Sequence, residues 1–201
     1  MKKNQRPADM LLTRRRLEPS ERRAQLLKHA ISAFAEAGIE RAAHADVAAR
    51  AQVSTPTVFN YFPTRDALVD AVLSEVEKIA ASLEDYLPKG QRFKPSELMR
   101  IMAKTISATC SHRPDLMRVA LIWSAAFSPV RQRFLALEAR QQHIFASALG
   151  PDTLNKSDLL ILSSCAREYI SMHFDGTTEE MRRDFVNRLC ELMDSTQIPK
   201  P

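Results

Sequence analysis

The residues best suited to chemistry lie in His44-Ala-Asp-Val-Ala-Ala-Arg-Ala-Gln-Val-Ser-Thr-Pro-Thr-Val-Phe-Asn-Tyr-Phe62. Helical spacing turns Thr55, Pro56, Thr57, Asn60 and Tyr61 outward. They are small or polar, as a helix entering a groove about 12 Å wide requires. The Asn60 carboxamide can pair bidentately with adenine. The Thr57 and Tyr61 hydroxyls can donate to phosphate oxygens, and Arg65, which opens the following helix, can reach phosphate as well. This is recognition chemistry rather than bond-making. A solvated surface would account for Asn60 taken alone; the ordered set, with a basic arm before it, favours DNA.

Two short helices must position these groups. Val47, Ala48 and Ala51 form a small apolar face on the first, about Ala45 to Ala51. Val58 and Phe62 do so on the second, about Thr55 to Tyr61, with Val53 turned inward between them. Small alanines allow the close crossing of a helix-turn-helix. Ser54 is a good N-cap for the second helix, and Pro56 sits in its first turn, where a missing donor costs little. Around this unit the chain reads as all-α, with about nine helices. They run near Pro19–Ala37, the two short ones, Arg65–Tyr86, 95–112, 114–127, 129–149, 157–174 and 177–195, with a loop at 87–94. Gly38, Gly90, Gly150 and Gly176 fall where helix C-terminal caps belong. The expected organisation is an arm (1–18), a three-helix DNA-binding unit (19–64) and a larger helical unit (65–201), to which the resemblance given below adds ligand binding and dimerisation. The divide between the last two falls in the long helix that opens at Arg65.

Charge is distributed unevenly. Lys2, Lys3, Arg6, Arg14, Arg15, Arg16, Arg22 and Arg23 face only Asp9, Glu18 and Glu21 within residues 1–23, so this arm carries the whole net charge of +5. Such arms seek polyanions, and charge alone leaves a solvated tail equally open. No apolar run is long enough to span a membrane or serve as a secretory signal, so a cytoplasmic protein is expected. Cys110, Cys165 and Cys190 are far apart and sit among apolar neighbours; buried, reduced cysteines are expected, with no disulfide framework. The five histidines lack metal-ligand spacing, and no metal or cofactor is expected. No GxSxG, P-loop or dinucleotide fingerprint supports an enzyme. A helical protein-interaction module with an incidental basic arm stays open.

Val47-Ala-Ala-Arg-Ala-Gln-Val-Ser54 followed by Thr57-Val-Phe-Asn-Tyr-Phe-Pro-Thr-Arg65 resembles the TetR family of bacterial transcription regulators. Gln52 stands where the family has Gly, Phe59 where it has Tyr, Arg65 where it has Lys, and Ala43 where it often has a capping Thr. His44-Ala-Asp-Val-Ala48, Ala51-Gln-Val-Ser54, Val58 to Arg65, Leu68-Val-Asp70, the arm Arg14-Arg-Arg-Leu-Glu-Pro19 and Trp123-Ser-Ala125 are similar to the LuxR/HapR-type quorum-sensing master regulators. The close match spans about residues 14–73 and is faint beyond 80. The resemblance implies that Gln52, Thr55, Pro56 and Asn60 face bases, and that Thr57, Tyr61 and Arg65 face phosphates. Arg14 and Arg16 would enter the adjacent minor groove, with Glu18 weakening the arm's pull.

The last two predicted helices carry dense apolar faces: Leu159, Leu160, Leu162, Cys165, Tyr169 and Ile170 on one, Met181, Phe185, Leu189, Leu192 and Met193 on the other. Intrachain packing explains much of this. The resemblance implies that the two helices pair with those of a second subunit, giving a homodimer on double-stranded DNA. It also implies an effector pocket among the central helices, which we place at Met117, Leu121, Trp123 and Phe127 for an apolar small molecule. Ordinary core filling remains open for each of these four.

Overall fold

The computed structural model describes residues 17–85, 87, 91–126, 130–150 and 153–195. Among them it contains α1 (Pro19–Ala37), α2 (His44–Ala51), α3 (Thr55–Phe59), α4 (Arg65–Asp85), α5 (Pro95–His112), α6 (Pro114–Ser124), α7 (Val130–Leu149), α8 (Lys156–Ser171) and α9 (Glu179–Ser195). The all-α expectation holds.

Local chemistry sets the ends. The Glu21 carboxylate accepts from the Glu18 amide (3.0 Å) and closes the start of α1, with Pro19 in the first turn. Gly38 ends that helix at φ +84°, a conformation that strains any residue with a Cβ. Asn155 caps α8 by accepting from the Ser157 and Asp158 amides at 2.8 and 3.0 Å. Besides α3, described below, three helices are shorter than sequence periodicity suggests. α6 stops at Ser124, because the Ala125 and Ala126 amides turn back to Ile122 and Trp123. α8 stops at Ser171: His173 and Phe174 bond three residues back, the tight geometry of a fraying helix end. α9 begins at Glu179 rather than 177, because Asp175 holds Thr177 in a turn and the Thr178 hydroxyl caps the Met181 amide.

The largest core joins α1, α2, α3, the first half of α4, and α6. Leu26, Phe34, Val47, Val58, Phe62, Leu68 and Val72 meet Leu116, Val119 and Trp123 there. This core crosses the expected divide at residues 64 and 65. Two smaller clusters lie beyond it. One joins α5, α7, α8 and α9 through Leu98, Phe145, Leu162 and Cys190; the other joins Ile106, Cys110, Met117, Tyr169 and Met172. Cys110 and Cys190 are buried, whereas Cys165 is half-buried, short of its expected burial. Desolvation pushes the Cys110 thiol up to about 11 and raises those of Cys165 and Cys190, which keeps them protonated and weakly nucleophilic.

Polar ties fix α4 among its neighbours. Arg133 of α7 donates to both carboxylate oxygens of Glu77 (2.5 and 2.6 Å), to Asp70 (2.6 Å) and to Ser74 (3.0 Å), and lies 5.9 Å from the centre of the Trp123 ring. Glu75 accepts from Lys78 (2.6 Å) and from Arg113 at the start of α6 (3.5 Å). The Lys78 hydrogen bond, with help from Arg113, holds the Glu75 carboxyl below its ordinary range. A carboxyl with a depressed folded-state value contributes stability that is complete above the ordinary range and is lost as pH falls through the folded value. Glu75→Gln should therefore lower stability at neutral pH and leave it little changed in acid, so the two proteins' urea midpoints should converge as pH drops below about 4.

Candidate nucleic-acid interface

α3 is five residues long, too short to stand alone, so its geometry is set by what it is pinned to. Val58 and Phe62 are fully buried beneath it. The Ser54 hydroxyl accepts from the Thr57 amide (3.4 Å) and pairs with the Thr57 hydroxyl (2.8 Å), the N-cap that the sequence predicts. The chain leaves the helix at Phe59, two residues early: Tyr61 and Phe62 both bond back to the Val58 carbonyl, and Pro63 disfavours a helical Phe62.

The turn between α2 and α3 is closed by two amides. Gln52 bonds to Ala49 at 3.3 Å and Val53 to Ala48 at 3.0 Å, the pairing that ends a helix on a left-handed residue. Gln52 is that residue, at φ 53° and ψ 47°, and among the described residues no other non-glycine has positive φ. The family's Gly fits here at no steric cost; Gln does not.

Sequence reasoning missed His44, which is 5% exposed. Its Nε2 lies 2.7 Å from the Phe62 carbonyl, and its ring stacks on Phe59 with centroids 4.0 Å apart and planes 8° apart. It ties the start of α2 to the end of α3. No spacing rule finds such a residue, since the pairing spans two elements and appears only once they cross. Asp46 was missed too: it accepts from the Ala43 amide (2.8 Å), the half of a capping pair that comes from within the helix, and Ala43 cannot supply the other half.

Gln52, Pro56 and Asn60 are exposed, while Thr55, Thr57 and Tyr61 are half-buried, with Tyr61 packed on the core. Phe59 is 44% exposed beside them. Arg65 differs from expectation. Its guanidinium donates to the carbonyls of Ile39 and, at 2.8 Å, Glu40, lacing the loop after α1 to the start of α4. Two free carbonyls near a helix start attract it in the chain by itself, so it is a structural tie before it is a phosphate contact. Arg14 and Arg16 lie outside the described residues. Arg23, at the described end of the basic segment, sits 5.1 Å over the Phe62 ring.

Residues 26–72 match the family described as bacterial regulatory proteins, tetR family. Over 116 residues the chain is 57% identical to the HTH-type transcriptional regulator LuxR of Vibrio harveyi, covering 56% of this chain and 55% of that protein. Residues 26–72 are thus of the tetR-family type. The chain is also 30% identical over 124 residues to the HTH-type transcriptional regulator BetI of Burkholderia lata, covering 61% of this chain and 64% of that one. These matches thus span between half and two thirds of the curated relatives' length. A TetR-like transcriptional regulator from Rhodococcus sp. RHA1 has the same fold, with TM-score 0.71 at 19% identity over 92% of this chain and 100% of that one. These relatives are named as transcription regulators rather than enzymes. Among the described residues no helix is long and apolar enough to cross a membrane.

A cavity of about 120 Å³ lies among α4, α5, α6, α7 and α8. Met117 and Leu121 border it, and Trp123 does not. Trp123 is fully buried on the other side of α6, its Nε1 donating to the Val130 carbonyl (2.8 Å) and its ring meeting Phe134 edge-on. The helical period explains the error: positions 117, 121 and 124 share one face, whereas 116, 119 and 123 face α1 and α4. Phe127 lies outside the described residues.

The left-handed Gln52 leads to a divided outcome for Gln52→Gly. Removing the Cβ should raise unfolding stability by about 0.5–1 kcal/mol, less than the full strain because Gly also loosens the unfolded chain. If Gln52 touches bases, the same variant should weaken specific DNA binding, so urea unfolding and operator titration should move in opposite directions.

Proposed function

We propose that this protein is a sequence-specific, DNA-binding transcription regulator that works as a homodimer. The observation that carries this reading is the exposed set Gln52, Pro56 and Asn60 around a capped, core-pinned α3, within residues 26–72 that match the tetR family. Gln52, Thr55, Pro56 and Asn60 read base edges; Thr57 and Tyr61 hold phosphates; Arg14 and Arg16 follow the minor groove. Arg65 adds a phosphate contact with the donors that the Ile39 and Glu40 carbonyls leave unused. The similarity to the LuxR/HapR branch supports a quorum-sensing-type global role, as activator or repressor.

A homodimer supplies two recognition helices to half-sites roughly 34–36 Å apart. The apolar faces of α8 and α9 support it. Leu160 and Ile161 on α8, and Met181 and Leu192 on α9, are about half exposed in the single chain. Leu162, Tyr169 and Met193, which the sequence also suggests for this face, are buried within the chain instead.

A second reading is favoured by the cavity: a local repressor released from its operator by an apolar small-molecule effector. Genome-wide binding separates the two, since a local repressor occupies few sites, mostly beside its own gene.

Fluorescence anisotropy against promoter fragments over a salt series tests the DNA reading. Binding should be tight to a few fragments, with log K falling linearly in log salt. Asn60→Ala should cost about tenfold or more on those fragments while sparing non-specific binding. Weak, equal binding to every fragment would sink the proposal. For the dimer, Ile161→Asp should lower the light-scattering mass from two chains towards one; a wild-type mass of one chain would refute it.

A further inference from the structure

The cavity is not purely apolar. Apolar residues, among them Ile79, Ile106, Leu121, Phe134, Leu137 and Ile170, form most of its wall, but Glu138 of α7 and Arg167 of α8 also border it and are paired to each other. The Glu138 side chain is only 15% exposed. Arg167 also donates to the Ser164 hydroxyl at 2.9 Å, which fixes its fork. Gln141 and Ser163 lie on the same wall. Thr109 and Ser124 border it as well, but their hydroxyls donate to the Thr105 and Leu121 carbonyls. A mainly apolar chamber thus carries one charged spot, and that spot has no net charge.

Two quantities limit the occupant. The first is size. About 120 Å³ is slightly below the ~150 Å³ at which an engineered apolar cavity takes up benzene. One ring is therefore at the upper limit of size and needs a slight expansion; a long acyl chain requires the helices to move apart. The second is charge. An anion drawn to Arg167 meets the Glu138 carboxylate within the same few ångströms, and a cation drawn to Glu138 meets the guanidinium. Either suffers like-charge repulsion, which solvent weakens but does not remove because the Arg167 side chain is 36% exposed. A neutral hydroxyl or amide escapes both penalties, because it can donate to the carboxylate and accept from the guanidinium. A group bonded to a charged partner also gains more than one bonded to a neutral partner.

We propose that this cavity binds an uncharged, single-ring molecule whose one polar group is held by the Glu138–Arg167 pair. This rests on the ligand-released reading above and corrects its chemistry, since a purely apolar occupant would leave the pair unused.

Calorimetric titration of the full chain with phenol, toluene, benzoate and benzylammonium at fixed ionic strength tests it. Phenol should bind tightest, by about tenfold over each of the others. Glu138→Gln leaves Arg167 as the lone charge and should pass the preference to benzoate; Arg167→Gln should pass it to benzylammonium. Should either variant unfold, the wild-type ranking alone decides. Toluene equal to phenol would overturn the polar anchor, and a charged probe binding tightest in the wild type would overturn the neutrality argument. No saturable binding by any of the four would remove the site altogether. Phenol binding that leaves operator affinity unchanged would uphold this assignment and instead refute release by a ligand.

Discussion

A five-residue helix gains too few internal hydrogen bonds to offset the entropy of ordering it, and this protein presents its candidate recognition surface on one. The whole N-terminal architecture answers that constraint. Val58 and Phe62 anchor the helix from below, Ser54 closes its start, and His44 clasps its end through the Phe62 carbonyl. Small residues on α2 let α1 and α3 come close enough to supply the shared core. Each tie acts on the backbone or the buried face, leaving Gln52, Pro56 and Asn60 free for solvent or a partner.

The same core reaches Leu116, Val119 and Trp123 on α6, the helix whose opposite face borders the cavity at Met117 and Leu121. One turn of α6 therefore separates the packing beneath α1 and α4 from the ligand-sized void. Arg133 spans α7 and α4 beside Trp123, and Glu75 joins α4 to Arg113 where α6 begins. A close-packed interior passes displacement on rather than absorbing it. A shift of α6 or α7 about an occupant must then either repack the Trp123 contacts or break the Arg133 cluster. The helix-turn-helix is coupled to the cavity by contact as well as by the chain.

What was legible in the sequence was whatever depends on neighbours within a few residues. Periodicity disclosed the extents of α1 and α4, hydroxyl chemistry disclosed the Ser54 cap, and the Thr57–Arg65 motif disclosed the family resemblance. Features that depend on distant segments were not legible. His44 finds Phe59 and Phe62 only after α2 and α3 cross. Glu138 and Arg167 are ordinary surface types, 29 positions apart, until α7 and α8 bring them to one wall. Composition suggested a wholly apolar pocket because a paired charge leaves no trace in a count. Trp123 was misplaced for a different reason: aromatic content marks burial, but which side of a helix it occupies depends on a phase that a two-position error reverses.

Gln52 shows how function can be inferred from a local rule that the chain breaks. The turn after α2 calls for a left-handed residue, and Gly would satisfy it without strain. Keeping a Cβ there costs about 1–2 kcal/mol, a sizeable share of the few kcal/mol by which a small domain is stable. Among the described residues its side-chain carboxamide makes no hydrogen bond that would repay the cost; the two bonds closing the turn are made by backbone and would survive in Gly. The exposed carboxamide stands at the entrance to α3, beside the cap that orients the helix. A strained residue with no internal compensation, placed at the edge of a recognition surface, is best explained by a partner outside the chain. The base-reading role inferred from family resemblance and the strain observed in the backbone therefore point to Gln52 independently.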